Sequence, residues 1–260
     1  MILPELTCIS VAVDGAVASV TFDRPGKLNA LSRRLLRELI EVCHWLDAAR
    51  DVKVAVVRGA GRAFSAGFDL ADFASPEPDG TPGDAADLGR LATNALTDVR
   101  QLTIAAIHGH CVGGGVVLAA ACDLRVAAHG TRFSIPEVDL GIPLAWGGIP
   151  RLVRELGPAV TKELVLTCRP FDADEALRLR FLNRVVDAGD LDAEVEALAA
   201  SLAGKPTFPL RVTKQQVNAV TEDMASTRRN ASDADILTAA MADEESRAIS
   251  RDYLARRRSG

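Results

Sequence analysis

The chain has 260 residues, 48% hydrophobic, 25% charged and only 4% aromatic, with a formal net charge of −5. That is enough aliphatic material for a core that needs neither disulfides nor a structural metal. The acidic balance supplies no basic face for nucleic acid or an anionic membrane surface, so neither is expected as a partner.

No basic segment followed by an apolar one opens the chain, so no signal peptide is expected. Residues 8–22 read as a hairpin, two β-rich runs joined at Asp14-Gly15 and ended by Arg24-Pro25-Gly26. Ser32 caps a helix running to about Arg50, with Leu35, Leu39, Val42 and Leu46 on one face. Val54 to Val57 is a continuous apolar run, as in a strand buried on both faces. A loop from Gly59 to Asp69 follows. The Pro-, Asp- and Gly-rich segment from Ala74 to Gly83 is either a plain surface insertion or a flap over a site. Asp84 to about Arg100 reads as helix and Ile104 to Ile107 as a second buried strand, leading to Gly113-Gly114-Gly115 and a helix from Val116 to Ala121. Leu124 to Ala127 and Arg132 to Ile135 complete the strands. Beyond Gly147 the pattern is helical over 149–156, 158–166, 172–180, 190–203, 206–223 and 232–257. No long linker divides the chain, so one domain with a helical appendage is expected.

Five widely spaced cysteines, without a C-x-x-C pair, suit buried thiols in a reducing compartment. The longest apolar stretch, Val116 to Cys122, is too short to span a bilayer. A cytoplasmic protein is expected. The arginines Arg251, Arg256, Arg257 and Arg258 suit a solvated helix C-terminus, the alternative being a contact to a phosphate.

The triple glycine is not G-x-G-x-x-G, and no loop carries G-K-[ST], so nucleotide binding of those kinds has no support. Ser65 lacks a G-x-S-x-G setting and is a poor nucleophile candidate. Two turns offer backbone donors instead: Ala63 to Leu70, and the triple glycine opening a helix. Two N–H groups converging on one oxygen would form an oxyanion hole for a carbonyl that becomes an enolate. Either turn alone is equally explained by tight turning. His108 and His110 form an H-x-H that, on a strand, would share one face; no third metal ligand is evident.

Taken together, Arg24-Pro25 with Asn29-Ala30-Leu31, Phe64-Ser65-Ala66-Gly67-Phe68-Asp69-Leu70, the triple glycine with Cys122-Asp123, and Pro136-Glu137 with Leu140-Gly141 resemble the crotonase (enoyl-CoA hydratase/isomerase) family. Gly147-Gly148 and Arg151-Leu152 extend the resemblance over nearly the whole length. It implies an α/β fold, a spiral of β-β-α repeats in two packed sheets over about residues 1–190. A helical C-terminal region over about 191–260 would build a homotrimer or a dimer of trimers. It implies acyl-CoA substrates and no cofactor, coenzyme A entering as part of the substrate. By position, Phe68 and Gly114 would donate to the thioester oxygen. Lys27, Leu28 and Ala30, with Ala66, Asp69 and Leu70, would line coenzyme A, and Trp146 lies in a loop that shapes the acyl pocket in relatives, with ordinary packing an equal alternative.

Hydratases of this family use two glutamates. Glu137 matches one, while the other position, three residues after the middle glycine, is Val117. Valine can neither position a water nor accept its proton, so hydration of a 2-enoyl thioester is expected to be weak, and Val117→Glu to raise it if the pocket is otherwise intact. One glutamate still suffices to take a proton from C2 of a 3-enoyl thioester and return it at C4. Double-bond isomerisation is therefore favoured. The alternatives are hydration through Asp139 or His110, Asp139 sharing the face of Glu137 only on extended backbone, and acyl-CoA binding without chemistry.

Overall fold

The expected hairpin forms in a computed structural model of the chain, which describes residues 3–73 and 82–258. Strands β1 (Ile9–Asp14) and β2 (Val17–Phe22) run antiparallel with Asp14 opposite Val17. The chain continues through β3 (Val54–Gly59), β4 (Leu102–Ile107), β5 (His110–Val112), β6 (Leu124–Ala128), β7 (Arg132–Ser134), β8 (Phe171–Asp172) and β9 (Arg184–Val186). Six of these form one sheet in the order β1-β2-β3-β4-β6-β9, and β5-β7-β8 form a second. Beyond the hairpin, every pairing in the large sheet is parallel.

The spiral shows in how successive turns feed both layers. Leu31 bridges Phe68, Ser65 bridges Cys111 of β5, β5 pairs with β7, and β7 with β8. Each β-β-α turn thus leaves one strand in the large sheet and one extended piece in the small layer.

The ten helices of the described residues are α1 (Arg33–Ala48), α2 (Leu70–Phe73), α3 (Pro82–Asp98), α4 (Gly114–Ala121), α5 (Gly148–Thr167), α6 (Ala173–Arg178), α7 (Leu191–Ala203), α8 (Thr207–Met224), α9 (Asp233–Ala242) and α10 (Glu244–Arg258). At the start of α1, Ser32 Oγ accepts the Leu35 N–H at 3.2 Å, a cap worth about 1 kcal/mol. Period-two geometry explains the continuous apolar strands. Val54, Val56, Ile104, Ala106, Val126 and Ala128 pack on Leu191, Val195 and Ala199 of α7. Ala55, Val57, Ala105, Ile107 and Ala127 face the main core with the apolar stripe of α1. Both faces are covered, so no polar alternation survives.

Several expectations change. The 232–257 helix is two helices, because Asp243 turns to extended backbone (φ −66°, ψ 135°) between α9 and α10. Within α5, Gly157 is non-helical (φ 77°), which divides it as the sequence suggests. His108 and His110 do not share a strand: Gly109 (φ 62°) separates β4 from β5, which belong to different sheets. In α9, Leu237 is buried within its own chain, while Ile236 and Met241 remain open. The short strands β5, β8 and β9 hold too few residues for a periodic signal. Residues 74–81, the bulk of the suggested flap, lie outside the described residues. No helix among the described residues is long and apolar enough to cross a membrane.

Candidate active site

Two loops expected along coenzyme A lie side by side and are bonded to each other. Ala66 N–H donates to Leu28 O at 2.9 Å, Leu31 N–H to Gly67 O at 2.8 Å, and Asp69 N–H to Leu31 O at 3.1 Å. Arg24 ties them further, pairing with Asp69 at 2.9 Å and donating to Ala30 O. Lys27 is exposed; Leu28, Ala30, Ala66, Asp69 and Leu70 are half-buried along the same rim. The bonds to Leu31 use Gly67 O and Asp69 N. Alternation along extended chain therefore turns the Phe68 N–H to the opposite edge.

The second backbone donor sits where β5 enters α4. Gly113 caps this helix at φ 50°, ψ −117°, a conformation that excludes a Cβ-bearing residue. Val116 and Val117 N–H both bond to Gly113 O, whereas nothing among the described residues accepts the Gly114 N–H. It is a first-turn donor at the positive end of the helix.

Glu137 reaches this turn from the end of the β7 segment. A Cβ on Gly113 would collide with its Oε1. Part of the residue's surface is open, but Oε2 is sealed from solvent and has no hydrogen-bond partner. Burial without a cation to offset it pushes the carboxyl pKa from 4.5 up to about 7.

Trp146 packs against the same glycine turn. Its ring lies where a Cβ on Gly89 of α3 or on Gly114 of α4 would fall. It meets the Phe68 ring edge-to-face, centroids 5.6 Å apart. The residue is left-handed (φ 62°), a conformation costing a non-glycine residue roughly 1–2 kcal/mol. A polar clamp holds it: Thr93 Oγ1 donates to Trp146 O at 2.9 Å, Arg151 Nη1 at 3.3 Å, and Asp233 of α9 accepts the Gly147 N–H at 2.8 Å. None of these partners was evident in the sequence. A glycine inside α3 was the one local sign of Trp146's close approach.

Val117 is packed among apolar neighbours. It is fully buried, and a Cβ on Gly148 would lie 2.9 Å from its Cγ2 and 2.8 Å from Leu144 Cδ2. A glutamate here would enter a packed apolar wall. Asp139 is exposed on a 3-10 turn, Val138–Leu140, whose cap Glu137 is helical (φ −59°, ψ −41°). It does not share Glu137's face. His110 is exposed as well, and His108 is engaged with Gly61 O at 2.9 Å. The described residues hold no cluster of three or more potential metal-ligating side chains. All five cysteines are free and buried.

The partly sealed Glu137 carboxylate, the glycine turn into α4 and the Phe68–Trp146 pair thus come together on the two-sheet spiral. The family model for enoyl-CoA hydratase/isomerase matches residues 12–259. The short-chain-enoyl-CoA hydratase of Clostridium acetobutylicum is 33% identical over 216 residues, 82% of each chain. The peroxisomal Delta(3,5)-Delta(2,4)-dienoyl-CoA isomerase of Arabidopsis thaliana is 36% identical over 222 residues, 80% of this chain and 78% of that one. A solved enoyl-CoA hydratase/isomerase from Mycobacterium paratuberculosis superposes with a TM-score of 0.88 at 27% identity, covering 96% of this chain and 100% of that one. The chain belongs to the enoyl-CoA hydratase/isomerase family, the crotonase superfamily, and is an enzyme of hydratase or isomerase type.

Proposed function

We propose that the enzyme moves a double bond in an unsaturated acyl-CoA thioester, with Glu137 as its single proton shuttle. The observation that carries this reading is one sealed carboxylate at the glycine turn, with apolar Val117 where a second carboxylate would be needed. Glu137 takes a proton from C2 of a 3-enoyl thioester. The C–H electron pair moves into the conjugated system and charge collects on the thioester oxygen, which Phe68 and Gly114 N–H groups stabilise. The protonated Glu137 then delivers its proton to C4, leaving the double bond at C2–C3 and the carboxylate restored. Atoms and electrons balance without an oxidant or reductant. A carboxyl near pKa 7 suits both halves of the shuttle.

Lys27, Leu28, Ala30, Ala66, Asp69 and Leu70 form the coenzyme A rim in this reading, and Trp146 bounds the acyl group. Coenzyme A is part of the substrate, and no separate cofactor enters the cycle. Turnover of purified enzyme on 2-enoyl-, 3-enoyl- and 3-oxoacyl-CoA tests the proposal. Conversion of the 3-enoyl thioester should dominate, and a preference for hydrating the 2-enoyl thioester would refute it.

A further inference from the structure

Ser65 has no role in the chemistry just described, yet it touches both segments that carry the backbone donors. It is fully buried. Its N–H donates to His110 O and its carbonyl accepts the Val112 N–H, both at 3.0 Å, a bridge to β5 that ends two residues before Gly114. Its Oγ donates to Asn29 O at 2.9 Å and accepts the Gly67 N–H at 3.2 Å, one residue before Phe68. A Cβ on Gly115 would lie 3.0 Å from the Ser65 Cβ, so this side chain also sets how closely α4 approaches. The hydroxyl proton is committed to Asn29 O, which rules against a nucleophilic role. Without the hydroxyl, a buried carbonyl and a buried N–H would both lose their partner.

We propose that Ser65 is a positioning residue: it fixes the separation of the Phe68 and Gly114 N–H groups and so the geometry of the oxyanion site. The proposal rests on the two-donor reading given above. Both donors branch from segments that Ser65 holds directly, one through Gly67 and the other through Val112 and Gly115. An oxyanion site works only when its donors lie about 2.7–3.1 Å from the charged oxygen. A displacement of roughly 1 Å in such a site costs on the order of 10²-fold in rate.

The test is carbon-13 NMR of butanoyl-CoA labelled at the thioester carbonyl, bound to the full-length enzyme, with deuterium exchange at C2 measured alongside. Wild type should shift the carbonyl downfield relative to free butanoyl-CoA. Ser65→Ala should lose more than half of that shift and slow exchange by on the order of 10²-fold, with little change in affinity. A merely structural role would not move the carbonyl signal of enzyme that still binds. Ser65→Ala with the wild-type shift and exchange rate overturns the proposal. Gly115→Ala keeps the hydroxyl but wedges α4 away, and should reduce the shift too. If Ser65→Ala does not fold, a wild-type shift in Gly115→Ala overturns it. Wild type that binds without any downfield shift instead removes the two-donor reading, and this proposal with it.

Discussion

The Glu137 carboxylate rests directly on Gly113: Oε1 occupies the space where a side chain on residue 113 would begin. Gly113 precedes Gly114, whose N–H opens α4. The Glu137 carboxylate and the Gly114 N–H are therefore neighbours through one peptide unit. That is the relation needed between a base at C2 and a donor to the adjacent carbonyl oxygen.

The pH dependence follows from the burial of this carboxyl. Its pKa is raised from 4.5 to about 7, so the basic form accumulates as pH rises, and C2 exchange should climb with an apparent pKa of about 7 and then level off. A rate already flat at pH 5.5 would contradict it. The stability effect has the opposite sense. The folded state holds this proton more tightly than the unfolded chain, so its contribution to stability falls as pH rises from about 4.5 to about 7. Glu137→Gln should therefore melt higher than wild type at pH 8, with the difference closing below pH 4.5.

Hydration of crotonyl-CoA should run on the order of 10²–10⁴-fold below a two-glutamate hydratase, the usual cost of a missing acid–base group. Val117→Glu alone should not raise it, because Leu144 and Gly148 fill the space. It should instead destabilise the fold by ~1–3 kcal/mol from overpacking. Coupling it with Leu144→Ala should make room, and hydration should rise. Steady-state rates and urea melts of both variants check this, and a gain in hydration from Val117→Glu alone would contradict it.

Trp146→Ala should cost ~3–5 kcal/mol in a denaturant melt, since the ring fills the gap between α3 and α4. It should also widen the range of acyl chains that bind. Titration calorimetry with butanoyl-CoA and dodecanoyl-CoA measures this. An unchanged ranking of the two would reduce Trp146 to packing.

Assembly should follow the outward face of α8, where Phe208, Val217, Val220 and Met224 are 77%, 54%, 60% and 72% exposed. The last three lie at helical spacing on one side, an apolar stripe that a second copy would cover. Light scattering should give three or six times the 27.6 kDa chain mass, and Val220→Glu should lower it. A 27.6 kDa species at micromolar concentration would contradict a trimer-based assembly.

Local signals were legible where a short stretch dictates its own backbone. Asp14-Gly15 marked the hairpin, Val54 to Val57 the doubly covered strand, and the triple glycine the helix entry. Pro136-Glu137 stood out only through its family resemblance. The walls of the site were not legible, because they are built by residues distant in sequence. Thr93 reaches Trp146 across 53 positions and Asp233 reaches Gly147 across 86. The packing around Val117 likewise involves Leu144, on a separate loop. The place of Asp139 was open for a backbone reason: proximity to Glu137 would mean a shared face only on extended chain, and the segment turns helical there.

Solvent deuterium incorporation at C2 of a bound acyl-CoA, in wild type and Glu137→Gln, tests the proton-shuttle claim most directly. The substitution leaves the coenzyme A rim and the backbone donors untouched, so affinity should hold. An amide cannot accept the proton, so exchange should be seen in wild type and vanish in the variant. Equal exchange in both proteins, or tight binding with none in either, would contradict a shuttle at Glu137.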